Sequence, residues 1–215
     1  MADEHPFLTG SDRDRVLLAV AELCAEQGYG ELRMEAIAAR AGVTAGRLDE
    51  LFGDKEEATR AAIEAILMAV ITLSGRLYSP DRSEPESYLL GIEGILELMA
   101  ANPAFAYVSY VTARQMAPPR LREGLETGAQ LLAAMLERMW EYSSEAGRPS
   151  SAARAALGGA EAVVRREIAR GRTVDLPRLA PDFIYAAAVP FLGQEEALRL
   201  ARASRDRLAE SGTPE

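Results

Sequence analysis

The two side chains that do most acid–base and nucleophilic work are almost missing. This 215-residue chain holds one histidine, His5, and one cysteine, Cys24. His5 lies in a polar tail and cannot anchor a metal centre or a Ser-His-Asp triad. A single cysteine excludes an intrachain disulfide and a cysteine-based zinc site. Cys24 falls on the apolar face of a helix and reads as core filler, as free cysteines usually do. Paired carboxylates at Glu56-Glu57 and Glu195-Glu196 fall in first turns of expected helices, where they serve capping. The chain has no phosphate-cradling glycine loop and no nucleophile elbow. No catalytic residue, metal ligand, cofactor or enzymatic activity is expected. The remaining chemistry belongs to cations placed to meet anions. Within the first 60 residues these are Arg33, Arg40, Arg47 and Lys55, the chain's only lysine. Farther on, Arg114 ends an apolar stretch, where it either holds an anionic ligand or complements a helix dipole.

The elements that position the first group are short. Residues 32–52 read LRMEAIAARAGVTAGRLDELF. This pattern predicts two short helices, Met34–Ala41 and Ala45–Leu51, crossing steeply about a glycine turn. Ile37, Ala38 and Ala41 face inward, and the alanines permit close approach. Gly42 tolerates the left-handed backbone of the turn, Val43 plugs the corner, and Leu48, Leu51 and Phe52 anchor the second helix. Its exposed face then carries Thr44, Ala45, Gly46, Arg47, Asp49 and Glu50. A helix of this kind enters a DNA major groove by its N-terminal end, where Arg47 can read a guanine edge or bind a phosphate. Ser11 is the expected N-cap of a preceding helix, carrying Val16, Val20, Leu23 and Cys24 inward and ended by Gly28. Asp54 with Glu57 opens a long helix to about Leu77.

The rest also reads as helical, with no sustained strand alternation. Ser79–Pro85 reads as a loop. Helices are expected at about 85–101, 103–115 and 119–145, broken at Asn102-Pro103 and Pro118-Pro119. A helix at about 152–170 and a last pair at 178–191 and 194–209 follow, with Gly171–Pro177 and Gly193 between. The fold class is all-α. The expected division is a disordered arm over 1–10, a three-helix helix-turn-helix domain over 11–53, and a helical bundle over 54–215.

Apolar residues make up 48% of the chain and charged residues 27%, which suits a globular protein. No secretory signal is visible. The apolar stretches Ala65–Leu73 and Ile184–Gly193 are too short to span a bilayer, so no membrane partner and a cytoplasmic location are expected. The net charge is −9, and residues 1–60 hold seven basic against thirteen acidic side chains. That runs against the basic footprint usual for DNA binding.

The helix ending in Gly28-Tyr29, the run Ile37–Thr44 (IAARAGVT), Leu48, Phe52 and Lys55 together resemble the TetR/AcrR family of transcriptional regulators. The resemblance is strong over about residues 12–60. It implies three N-terminal helices for DNA, a long connecting fourth helix, and a sensing bundle. It also implies a homodimer through helices at about 152–170 and 178–209, a palindromic double-stranded operator, and release by a small-molecule effector. The DNA-binding candidates are Arg33, Thr44, Ala45, Gly46, Arg47 and Lys55. The family's usual tyrosine and histidine after the recognition-helix leucine are replaced by Asp49 and Leu51, with Glu50 between. A carboxylate facing a phosphate repels it. The alternative is therefore a family-like protein with a degenerate DNA surface, acting as a small-molecule-binding or interaction module. Aromatic residues and methionines concentrate from Met68 to Tyr142. Those on the family's pocket helices are the ligand-binding candidates: Met68, Tyr107, Tyr110, Arg114, Met135 and Met139.

Overall fold

A computed structural model describes residues 8–77, 83–116 and 151–210. Its elements are helices throughout, with no strand among the described residues. Helix α1 runs Asp12–Gln27. The Ser11 side chain accepts from the Asp14 amide and the Asp14 carboxylate accepts from the Ser11 amide, a reciprocal cap that satisfies two otherwise orphaned donors. Leu8 packs against the core and the Asp14 carboxylate also accepts from the Thr9 amide and hydroxyl. The expected arm over 1–10 is therefore tied down at its end, by contacts that no local sequence pattern reveals.

A 3-10 turn, Tyr29–Glu31, leads to α2, Met34–Ala41, and α3, Ala45–Leu51. The turn between them is a Schellman closure. Gly42 sits at φ 65°, ψ 36°; its amide donates to Ala39 and the Val43 amide to Ala38, at 3.3 and 3.1 Å. Helix α4, Lys55–Leu77, is opened by Asp54, whose carboxylate accepts from the Glu57 amide while Glu57 accepts from the Gly53 amide. Helix α5, Glu84–Ala101, starts one residue before the expected place, on a Ser83–Glu86 cap with Pro85 inside its first turn. Ser79–Pro85 is thus not wholly loop.

After Asn102 the chain bends by 107° into α6, Pro103–Tyr107, a π-helical turn, Val108–Thr112, and α7, Ala113–Met116. Helix α8 spans Ala152–Ala169. The segment expected as a plain separator is instead a 3-10 helix, Thr173–Leu179, with Pro177 inside it. Helix α9, Ala180–Glu210, contains the expected break, since Gly193 is non-helical at φ 78°. The helix expected at 119–145 lies outside the described residues.

One continuous core joins these pieces. Val16, Leu17, Val20 and Cys24 of α1 are fully buried in it, as are Ile37, Leu48, Phe105, Ala106, Val108 and Ile184. Helix α1 packs on α2 and also on α4 and α6. The core therefore crosses the expected boundary at residue 53. By length and composition α4 is apolar enough to cross a bilayer, contrary to the expectation from shorter apolar runs. In this structure its residues Ala58, Ala62, Ile63 and Ile66 are instead buried, and the helix packs against α1 and α5.

Candidate nucleic-acid interface and effector region

Helix α3 is held by Leu48, which is buried, and by Phe52 at its end. Leu51 is half-buried and packs against the core, so it does not share the open face. Thr44, Ala45, Gly46, Arg47, Asp49 and Glu50 are all exposed. The Thr44 hydroxyl caps the helix by accepting from the Arg47 amide at 3.1 Å. The first turn thus presents small side chains around a fixed N-terminus, a shape that allows close approach to a groove.

The cations of this module are engaged within it. Arg47 donates from Nε to Asp12 and from Nη1 to Glu50, both at 2.9 Å. The Arg47 hydrogen bond, with the charge of Arg15 nearby, holds the Asp12 carboxyl below the usual carboxylate range. Arg40 makes a two-pronged bond to Glu26 and a third to Glu22, which places it on the seam between α1 and α2. Arg33 sits at the start of α2, is largely exposed, and donates to the Gly30 and Leu32 carbonyls. Lys55 is half-buried. Its ammonium donates to the Tyr29 and Leu32 carbonyls and stands 4.7 Å from the Tyr29 ring centre. Lys55 therefore ties the 3-10 turn to the start of α4. These exposed ion pairs are worth little in stability, yet they fix where each charge sits.

Sequence reasoning missed the role of Asp12. It is 35 residues from Arg47 and no local spacing connects the two.

The effector candidates are scattered. Tyr107 and Tyr110 are half-buried and pack against the main core. Burial raises the Tyr110 phenol, with the Arg114 charge opposing. Arg114 is exposed and ion-paired with Glu161 of α8, so an anion there would have to displace that carboxylate. Met68 is 58% exposed. It opens on a surface groove of about 540 Å³ that Leu8, Leu17, Leu73 and Leu98 also line and neither tyrosine does. Met68 thus faces outward on α4, because the inner stripe of that helix is filled by Ala62, Ile63 and Ile66. Met135 and Met139 lie outside the described residues.

The architecture defines a helix-turn-helix regulator: three short N-terminal helices joined by a long fourth helix to a bundle. Residues 16–62 match the family described as bacterial regulatory proteins, tetR family. The matched stretch, from α1 to the start of α4, is a helix-turn-helix module of that family's type. Its fold is similar to the fatty acid degradation regulator FadR from Bacillus halodurans, at 19% identity, 86% of this chain, 96% of that one and a TM-score of 0.73. It is similar to the TetR family protein CprB from S. coelicolor A3(2), at 20% identity, 91% and 96% coverage and a TM-score of 0.69. A third likeness is FadR from Bacillus subtilis in complex with stearoyl-CoA, at 19% identity, 83% and 97% coverage and a TM-score of 0.66. No curated protein sequence matches.

Proposed function

We propose that the protein is a ligand-responsive repressor that binds a palindromic operator as a homodimer and leaves it when a small apolar or amphipathic molecule binds the bundle. The observation that carries this is α3, with its capped N-terminus, small first turn and Arg47 facing out beside a closed glycine turn. Arg33, Thr44, Ala45, Gly46, Arg47 and Lys55 form the proposed contact surface. Tyr107 beside the π-helical turn and Tyr110 within it are the described residues best placed for the effector. Neighbours in fold support such a ligand, since one is in complex with stearoyl-CoA. The exposed side of α8, with Ala155, Gly158, Gly159 and Ala162, supports the dimer through α8 and α9. The setting is the cytoplasm, where the DNA is.

The test is retention of genomic fragments on immobilised protein at low salt, followed by titration of the retained duplex at rising salt. A palindrome near the protein's own gene, bound with salt-dependent affinity, is the expected result. If no fragment is retained at low salt, the proposal fails. A second reading has its own observation: Arg40, Arg47 and Lys55 are tied inside the module, as expected of a degenerate surface serving a binding or interaction module. Asp49→Tyr should then create DNA affinity that the parent lacks. Tight binding by the parent at physiological salt eliminates this reading.

A further inference from the structure

We infer that Asp12 is a specificity-determining residue of the DNA surface: with Glu50 it orients Arg47 so that the outer edge of its guanidinium reads one guanine in each half-site. The inference rests on the DNA-binding reading above. Each oxygen of Asp12 is committed to a different arginine. Oδ2 accepts from Arg47 Nε at 2.9 Å and Oδ1 from Arg15 Nη2 at 2.7 Å. Arg15 is itself anchored, donating from Nε to the Ala41 carbonyl at the end of α2, at 3.1 Å. Glu50 takes Arg47 Nη1 from one turn farther along α3. The relay thus runs from the end of α2 through α1 to α3, and it holds Arg47 against the whole module. Its two arginines and two carboxylates sum to zero charge, so the carboxylates add no net repulsion toward phosphates.

The engaged atoms select what Arg47 can still bind. Nε and one hydrogen of Nη1 take carboxylates, which removes Nε from the lateral Nε–Nη2 edge as a donor to phosphate. The second Nη1 hydrogen and the Nη2 amine are left for DNA; such a pair of outer donors matches guanine O6 and N7 as well as two phosphate oxygens, so the position in which Arg47 is held decides between them. An arginine on a flexible stem would meet phosphates and bases alike; a fixed one discriminates. The small side chains of Ala45 and Gly46 leave the approach open.

The test begins with selection of duplexes from a randomised pool by the full-length protein, then titration of the best half-site and its single-base variants. Arg47→Ala should lose a preference for guanine of roughly 5- to 100-fold at one position of the half-site. Asp12→Asn should lose most of that same preference while binding random duplex as well as the parent or better, with melting temperature nearly unchanged. Glu50→Gln should lose part of it. An exposed ion pair without this role would leave both the melting temperature and the base preference nearly unchanged. If Asp12→Asn and Glu50→Gln both keep the parent's preference, or if Asp12→Asn tightens guanine and non-guanine sites equally, the inference fails and the DNA-binding reading stands. If the parent selects no duplex, both fall together.

Discussion

Replacing Gly42 by alanine isolates the conformational cost of the helix-turn-helix corner. Gly42 stands at φ 65°, and a Cβ built there meets no atom within 4 Å. Steric exclusion therefore contributes nothing, and the cost comes from the left-handed backbone alone. That conformation costs an L-residue about 1–2 kcal/mol. Alanine also restricts the unfolded chain, which returns about 0.4–1 kcal/mol. The net expectation is a loss of about 1 kcal/mol in urea unfolding followed by circular dichroism. For a chain of this length that corresponds to roughly 2–4 °C in Tm. Gly42→Asn should cost less, because asparagine tolerates this region. Gly171 is the control, since it stands at φ 73° in equally open space after α8, far along the chain from the turn. Gly171→Ala should cost the same stability and leave operator affinity alone. Gly42→Ala should weaken operator binding beyond its stability loss, because the angle between α2 and α3 depends on that residue. A Gly42→Ala protein as stable as the parent, or one losing more than about 3 kcal/mol, would refute this account.

Three further outcomes follow from buried groups. Cys24 is fully buried and faces Thr112, and burial pushes its thiol up to about 11. A raised pKa means stability that is complete below the unfolded value, here 9.0, and is lost as pH rises through the folded one. Between pH 9 and 11 the parent should therefore lose roughly 2 kcal/mol that Cys24→Ala does not lose, read from unfolding curves across that range. The Glu93 carboxylate is 11% exposed and takes two 3.0 Å bonds from Arg207 on α9. Because Arg207 is 40% exposed, Glu93→Gln should cost only about 1–3 kcal/mol, and a double-mutant cycle with Arg207→Gln should show positive coupling. Phe105 is fully buried where α6 meets α1. Phe105→Ala should cost about 3–5 kcal/mol in the same unfolding assay, with the DNA-binding module and bundle still melting in one transition because they share a core.

Much of the fold is legible locally. Ser11, Gly42, and Asp54 with Glu57 are short-range devices, and each forms the cap or turn its spacing predicts. Cys24, Ile37 and Leu48 lie in the core because a helical stripe that is apolar must be covered. What local reasoning misses is set by distant packing. No spacing signal in the sequence marks the π-helical turn at Val108–Thr112, which packs against α1, α4 and α8. Met68 falls on an apolar-looking stretch, yet it faces out, because α4 has more apolar residues than one buried stripe can hold. The fate of each cation is equally non-local, since the partner of Arg47 comes from α1 and that of Arg114 from α8.

The acidity of the N-terminal module takes on a different meaning once its partners are visible. As a sum over residues 1–60, the excess of carboxylates argues against a polyanion as partner. Resolved into contacts, Asp12, Glu22, Glu26 and Glu50 are paired with Arg15, Arg40 and Arg47, which leaves this group one carboxylate in excess. Most of their charge is thus compensated within the distance of about 8 Å over which it is felt at physiological salt. What such a surface gives up is the broad, sequence-blind attraction that a basic patch supplies. Affinity for DNA then has to come from short-range, directional donors on a helix end whose position is fixed. If the proposed reading holds, such a regulator would discriminate among sequences more than it clings to DNA in general, through an Arg47 held by Asp12 and Glu50.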